Sequence, residues 1–431
     1  MTPSRGPYCM LPQWSLLVFL LALAGATISL ERQAPGGDTP PSGPHVSFAD
    51  KARQYFTAEE LANGRAYARG RYLLYGVRMA LTLGLFGLLT LSPLSAKIRD
   101  LSVSVAGGRV WLTIVVFGLV LALSYHAVTF PVSLYGGFLR EHMFGLSRQT
   151  FAAWAWDYTK GALINVGVML PLLMLLYGFI RWDPARWYLP VWGVVVLVTS
   201  LLAELSPILL DPLFHTFRPV QDKGLVERIR VLTDRAGVAV GPILEIDASR
   251  KTAKTNAYFT GLGPSRRIVL YDTLLTAATH EEVELVVAHE LGHWRRHHTW
   301  KGMAISAVSA LGALWLIARL LHAAADSGRF GFIHPADPVS LPLLLLLFLA
   351  LTILTTPIQM AISRSFEREA DCESLQLSGN PGAFIASEVT LARSNLADID
   401  PPRMIVWLLY THPPVLERIA MAEAFRAKQE Q

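Results

Sequence analysis

The chain has 431 residues, 52% of them apolar and only 16% charged, a balance that excludes an ordinary soluble globule of this size. Its net charge of +5 is spread through loops and is not gathered into a basic tract with interleaved aromatics, which argues against nucleic acid as a partner. Two cysteines, Cys9 and Cys372, are too few for a disulfide framework or a cysteine metal cluster.

Seven apolar runs approach the roughly 20 residues that a spanning helix needs: 14–30, 72–94, 110–134, 162–180, 187–208, 302–321 and 341–362. The first, "WSLLVFLLALAGATISL", reads equally as a spanning helix or as a signal peptide, with Arg5 ahead of it and small residues near its end. Residues 31–49 are Pro/Gly-rich and read as a linker, and a basic amphipathic helix follows. The expected organisation is therefore a signal peptide or first span (1–30), linker and amphipathic helix (31–71), spans two to five (72–208), a soluble α/β segment (209–301), spans six and seven (302–362) and a C-terminal helical part (363–431). The fold class is mostly α, a polytopic membrane protein. Glu204 and His126, inside spans, are costly in lipid and should face protein or water.

Within 209–301, "LVERIRVLTDRAG" predicts an amphipathic helix ending at Gly237. "ILEIDAS" and "RRIVLYDTLL" read as strands, with "NAYFTGLG" between them as a strand or sheet edge. "THEEVELVVAHELGHWRRHH" opens with Thr279 as an N-cap and acids in the first turn, and predicts a helix. With seven spans this segment and the C-terminal tail share one side of the membrane. That side carries Arg65, Arg69, Arg71, Arg140, Arg148, Lys160, Arg295, Arg296, Arg364 and Arg368 near span ends. The other has Lys97, Arg99, Arg109, Arg181 and Arg186, so the charge bias makes the first side cytoplasmic, although Arg5 pulls the opposite way.

The chemistry concentrates in His289, Glu290 and His293, an H-E-x-x-H pattern. Residues i and i+4 share a helix face, so both imidazoles can reach one zinc ion while Glu290 flanks its open position as general base. Gly292 is expected to leave room for metal or substrate. A catalytic zinc takes a third protein ligand, and no histidine follows at the short spacing of the three-histidine class. "SRSFEREAD" supplies Glu367, with Glu369 and Glu373 as rivals. Asp371, four residues after Glu367, is spaced to hydrogen-bond a ligating histidine. His280, His297 and His298 read as surface or interfacial. His412 in "THPPVLERI" is either a turn histidine or a donor to an oxyanion. Asn256 is either a plain strand residue or a contact to a substrate strand added at the sheet edge.

These pieces together resemble the type I CAAX prenyl protease family, integral-membrane zinc peptidases of the a-factor-converting type. The similarity is carried by "RAYARGR", "EHMFGLSRQT", "PLFHTFRP", "DASRKTAKTNAYFTG", "RRIVLYDTLL", "HELGHW", "SRSFEREAD" and "THPPVLERI", in that order. The resemblance implies about seven transmembrane helices enclosing a water-filled chamber, and a small gluzincin-type catalytic domain. It implies one Zn2+ held by His289, His293 and Glu367, with Glu290, Asp371 and His412 as catalytic residues. Asn256, Ala257 and Arg418 become substrate-binding or site-supporting residues.

The expected activity is zinc-dependent peptide-bond hydrolysis near the C-terminus of prenylated proteins, on peptide or protein substrates that are prenylated or membrane-embedded, with the lipid bilayer as the other partner. The Pro-rich N-terminal extension departs from the family pattern. The Arg/Ala/Leu/Gly-rich composition has a bacterial cast and points to a bacterial inner membrane, where prenylated substrates are generally lacking. Endopeptidase chemistry thus carries over better than the prenyl substrate. A membrane quality-control metalloprotease is the alternative enzyme. A non-catalytic chamber or transporter with a structural metal site is the alternative class, and an intact Glu290 argues against it.

Overall fold

The computed structural model describes residues 48–261 and 266–431. The apolar run 14–30 and the linker up to residue 47 lie outside the described residues, as does the side chain of Glu204. Two amphipathic turns, α1 (Phe48–Tyr55), lead through the N-cap Thr57 into α2 (Ala58–Leu91). Thr57 and Glu60 form a reciprocal capping box, and nothing breaks the helix after it. The expected amphipathic helix and second span are therefore one 34-residue helix.

A short α3 (Leu94–Val105) turns the chain into α4 (Val110–Leu134), which runs on through a π turn to Met143. Next come α5 (Phe151–Trp182) and α6 (Tyr188–Leu205), the latter bent by 51° against residues Ser206–Leu213. After the sheet domain, α9 (His298–Ser327) and α10 (Ser340–Ser378) complete the apolar set. Among the described residues five helices are long and apolar enough to cross a membrane, or six with the bent pair as one span. They coincide with expected spans two to seven. Leu91, Leu123, Leu163, Trp182 and Leu354 are exposed on these helices, as lipid-facing positions should be. His126 is only partly exposed, and its Nδ1 lies 3.2 Å from the Tyr158 hydroxyl on α5.

The sheet domain is built from β1 (Phe217–Pro219), α7 (Lys223–Ala236), β2 (Ile243–Ile246), β3 (Ala257–Thr260), β4 (Arg267–Tyr271) and α8 (His280–Arg295). Strand order is β1-β2-β4-β3. The β2–β4 pair is parallel, and β3 is an antiparallel edge strand with Ala257 opposite Leu270. α7 starts on Asp222, whose carboxylate accepts from the Leu225 N–H, and stops at Gly237 in the left-handed region. Ile229, Leu232, Ile246, Ile268, Leu270, Val287 and Leu291 form the core beneath the sheet. Two C-terminal helices, α11 (Pro381–Ser394) and α12 (Val415–Gln429), pack on α1 through Phe56, Phe384, Ile385, Val415 and Ile419.

Two buried ion pairs tie the loop before β3 to the membrane helices. Lys251 Nζ is 2.7 Å from Asp157 of α5, and Lys254 Nζ is 2.7 Å from Glu141, which also accepts from the Tyr67 hydroxyl of α2. The end of the helical bundle carrying Arg65, Arg140 and Lys160 therefore abuts the sheet domain.

Candidate metal centre

Two helices make the site. α8 begins with a second capping box, Thr279 with Glu282, and two acids in its first turn. α10 is a single 39-residue helix, about 58 Å long at 1.5 Å per residue. Its first half is apolar and its last part carries the carboxylates.

The helices meet at Gly292. A Cβ there would stand 2.8 Å from the Ala370 carbonyl oxygen and 3.1 Å from Glu373 Cβ. Gly292 thus lets α10 approach α8, and it does not face metal or substrate as the sequence suggested. Gly292→Ala should force two backbones apart and lower stability by about 1–3 kcal/mol; thermal unfolding of the detergent-solubilised protein would measure the loss.

The close approach gathers His289, His293 and Glu367, whose donor atoms all lie within 4.8 Å of one another. His289 Nε2 is 3.1 Å from His293 Nε2 and 3.1 Å from Glu367 Oε2, and His293 Nε2 is 3.5 Å from Glu367 Oε1. Glu367 Oε2 is buried yet has no hydrogen bond of acceptable geometry. Two nitrogens and a carboxylate converging on one point, with a buried oxygen left unsatisfied, fit a cation among them. Burial alone would push the His289 pKa down, but Asp371 and Glu367 on its two nitrogens hold it at about 10.

The rival carboxylates go elsewhere. Glu373 pairs with Arg295 and Arg296, and Glu369 with His298. Asp371, fully buried, stands with Oδ1 2.8 Å from His289 Nδ1. His412 Nε2 is 2.8 Å from Glu367 Oε2, its Nδ1 faces the Thr411 hydroxyl at 2.9 Å, and burial lowers its pKa to about 4. His412 is neutral at pH 7. The Glu290 carboxyl is pushed upward by burial, opposed by the imidazoles of His293 and His289 and by the backbone N–H of Phe259 in β3. The Glu290 carboxyl thus stands between the two histidines and the edge strand.

Three expectations need correction. Arg418 is buried, its Nε donates to Asp371 Oδ2 at 2.8 Å and its Nη1 lies 2.7 Å from Glu388. Its guanidinium is committed to holding Asp371, so of its two expected roles the geometry fits site support and not substrate binding. His298 is not at the surface: it is buried, with Nδ1 3.0 Å from His293 Nδ1. The Ala257 side chain is buried in the sheet core, so only its backbone could meet a substrate. Asn256, just before β3, accepts from the Tyr271 N–H through its backbone carbonyl at 3.1 Å. His280 and His297 are exposed as expected, and His280 bonds Asp222.

The family models agree with this geometry. Residues 219–426 match peptidase family M48, and residues 44–216 match the CAAX prenyl protease N-terminal region described by five membrane helices. YhfN, an uncharacterised metalloprotease of Bacillus subtilis, is 31% identical over 377 residues, spanning 87% of this chain and 88% of its own. The chain belongs to the CAAX prenyl protease family. It is a membrane metalloprotease of the M48 type, an integral multi-pass protein. CAAX prenyl protease 1 of Saccharomyces cerevisiae is 28% identical over 321 residues, 70% of each chain. The crystal structure of S. mikatae Ste24p superposes with a TM-score of 0.77 at 24% identity, covering 97% of this chain and 98% of that one, so the two share a fold.

Sequence reasoning missed Glu388 as the partner of Arg418, and missed the pairs of Lys251 with Asp157 and Lys254 with Glu141. The lysines stand in "SRKTAKT", a stretch that reads as an ordinary solvated loop, and the only hint was Asp157 and Glu141 flanking membrane helices.

Proposed function

We propose that this family member is a zinc endopeptidase that cuts an extended peptide laid along β3. The convergence of His289, His293 and Glu367 beside Glu290 and a sheet edge carries the reading. Zinc bound by that trio would supply Lewis acidity, polarising a scissile carbonyl and bringing a water's pKa near ~7. Glu290 takes a proton from the attacking water and delivers it to the leaving amine as the C–N bond breaks. His412 directs Nε2 at Glu367 Oε2, 2.8 Å away, and with that carboxylate held by zinc the same N–H can turn to the oxyanion that develops on the carbonyl. Asp371 fixes the His289 tautomer with Nε2 free, and Arg418 fixes Asp371. The backbone of β3, beginning at Ala257 and preceded by Asn256, offers its open edge to the substrate strand.

For substrate we propose the C-terminal segment of a prenylated or membrane-embedded protein, because the match extends over the helical bundle as well as the catalytic part. The proposed location is a bacterial inner membrane with the catalytic side cytoplasmic, an orientation that the Lys/Arg excess on that side supports. The test uses the purified full chain, its zinc content, and cleavage of a farnesylated CAAX peptide, the same peptide unmodified, and an unfolded membrane protein. Preference for the farnesylated peptide supports the reading. Cleavage of the unfolded protein alone would replace it with membrane quality control, and zinc content without any cleavage would overturn it.

A further inference from the structure

We infer that His298 and Glu369 form a relay that orients His293, fixes its tautomer and sets how tightly the metal is held. The inference rests on the metal-site reading above. It deepens that reading by giving the second histidine the kind of support that Asp371 gives the first.

The protonation follows from the chain of contacts. His298 Nε2 lies 3.1 Å from Glu369 Oε2, and a carboxylate only accepts, so this nitrogen carries the proton. The other nitrogen of a neutral His298 is then bare. His298 Nδ1 stands 3.0 Å from His293 Nδ1, and two facing ring nitrogens at that distance need one donor and one acceptor. His293 Nδ1 must therefore donate, which leaves His293 Nε2 as the lone-pair nitrogen facing His289 and Glu367.

The position of His298 is over-determined. Its ring stacks on Phe366 of α10 with centroids 4.4 Å apart and planes 7° apart, and it is 5% exposed. His297, at φ 56°, takes the left-handed turn that ends α8 and opens α9 with His298. That turn folds the first residue of a membrane helix back onto the ligand-bearing face, so it bears on the site as well as on the topology. Lys301 Nζ, 3.7 Å from Glu369, is the other charge at the outer end of the relay.

The test compares the intact chain with His298→Phe, His298→Gln and Glu369→Gln. Phenylalanine keeps the stack on Phe366 but accepts nothing from His293, whereas glutamine restores both an acceptor and an N–H. Zinc affinity is read by competition with a chelator, and ligand geometry by the visible absorption of the cobalt-substituted protein. The expected result is about 10- to 100-fold weaker zinc binding in His298→Phe with a shifted cobalt spectrum, since partners of ligating histidines carry effects of that size. His298→Gln recovers most of the loss, and Glu369→Gln, at a partly exposed position that threatens folding little, shows a smaller loss in the same direction. Unchanged affinity and spectrum in His298→Phe and Glu369→Gln, or equal losses in Phe and Gln at 298, would overturn the relay while leaving the metal site standing. Failure of the unaltered chain to bind zinc or cobalt would overturn both.

Discussion

Glu290→Gln should lower kcat/KM by about 10²- to 10⁴-fold, the usual contribution of a positioned general base, while zinc content stays at the level of the unaltered chain. The two readouts separate because Glu290 is not among the converging donors. Its neighbour His289 points at Glu367 and Asp371 on α10, whereas the Glu290 carboxyl meets the Phe259 N–H on β3. Glutamine preserves volume and can still face that strand, but it cannot take a proton from water. His289→Ala gives the contrasting pattern, losing activity and metal together. Full zinc-dependent cleavage by Glu290→Gln would rule out the proposed proton path, whatever the metal content.

How far the sequence reached depends on which interactions are local. His289 and His293 share a face by helical period alone, and Thr279 with Glu282 announces the start of α8, so both are legible in a short window. Glu367 is not: Glu367, Glu369 and Glu373 are all helical carboxylates, and their spacing spreads them around α10. The choice is made by the contact of Gly292 with Ala370, which rotates Glu367 toward the histidines, Glu369 toward His298 and Glu373 toward Arg295 and Arg296. The same long-range contact separates the two histidines that read alike as surface or interfacial, burying His298 and leaving His297 exposed. Span positions were legible because each is a long apolar run. The joins within α2 and α10 were legible too, because the helical period of "ELANGRAYARGRYLLYG" runs directly into the second span and that of "SRSFEREADCESLQL" continues from the seventh.

Arg418→Ala should destabilise the catalytic part by about 3–5 kcal/mol, the range for stranding buried charge partners. Arg418 is wedged between Asp371 and Glu388, all three with side chains at most 4% exposed. These two carboxylates hold the guanidinium more firmly protonated than usual, despite its burial. Removing it leaves two anions in a dry interior with only His289 to share. Neutralising the second anion should undo part of the damage: Arg418→Met with Glu388→Leu is expected to recover stability relative to Arg418→Met alone, because Asp371 then has His289 to itself. A double-mutant cycle on thermal or denaturant unfolding gives the coupling, and additive effects would show that Glu388 is no partner. Zinc affinity should not recover in parallel. Stability requires only that buried charge be balanced, whereas the metal requires Asp371 to keep the orientation that two guanidinium hydrogen bonds impose on it. A variant that is stable again but still binds zinc weakly would separate these two roles of one arginine, and full recovery of both would reduce Arg418 to a counter-charge.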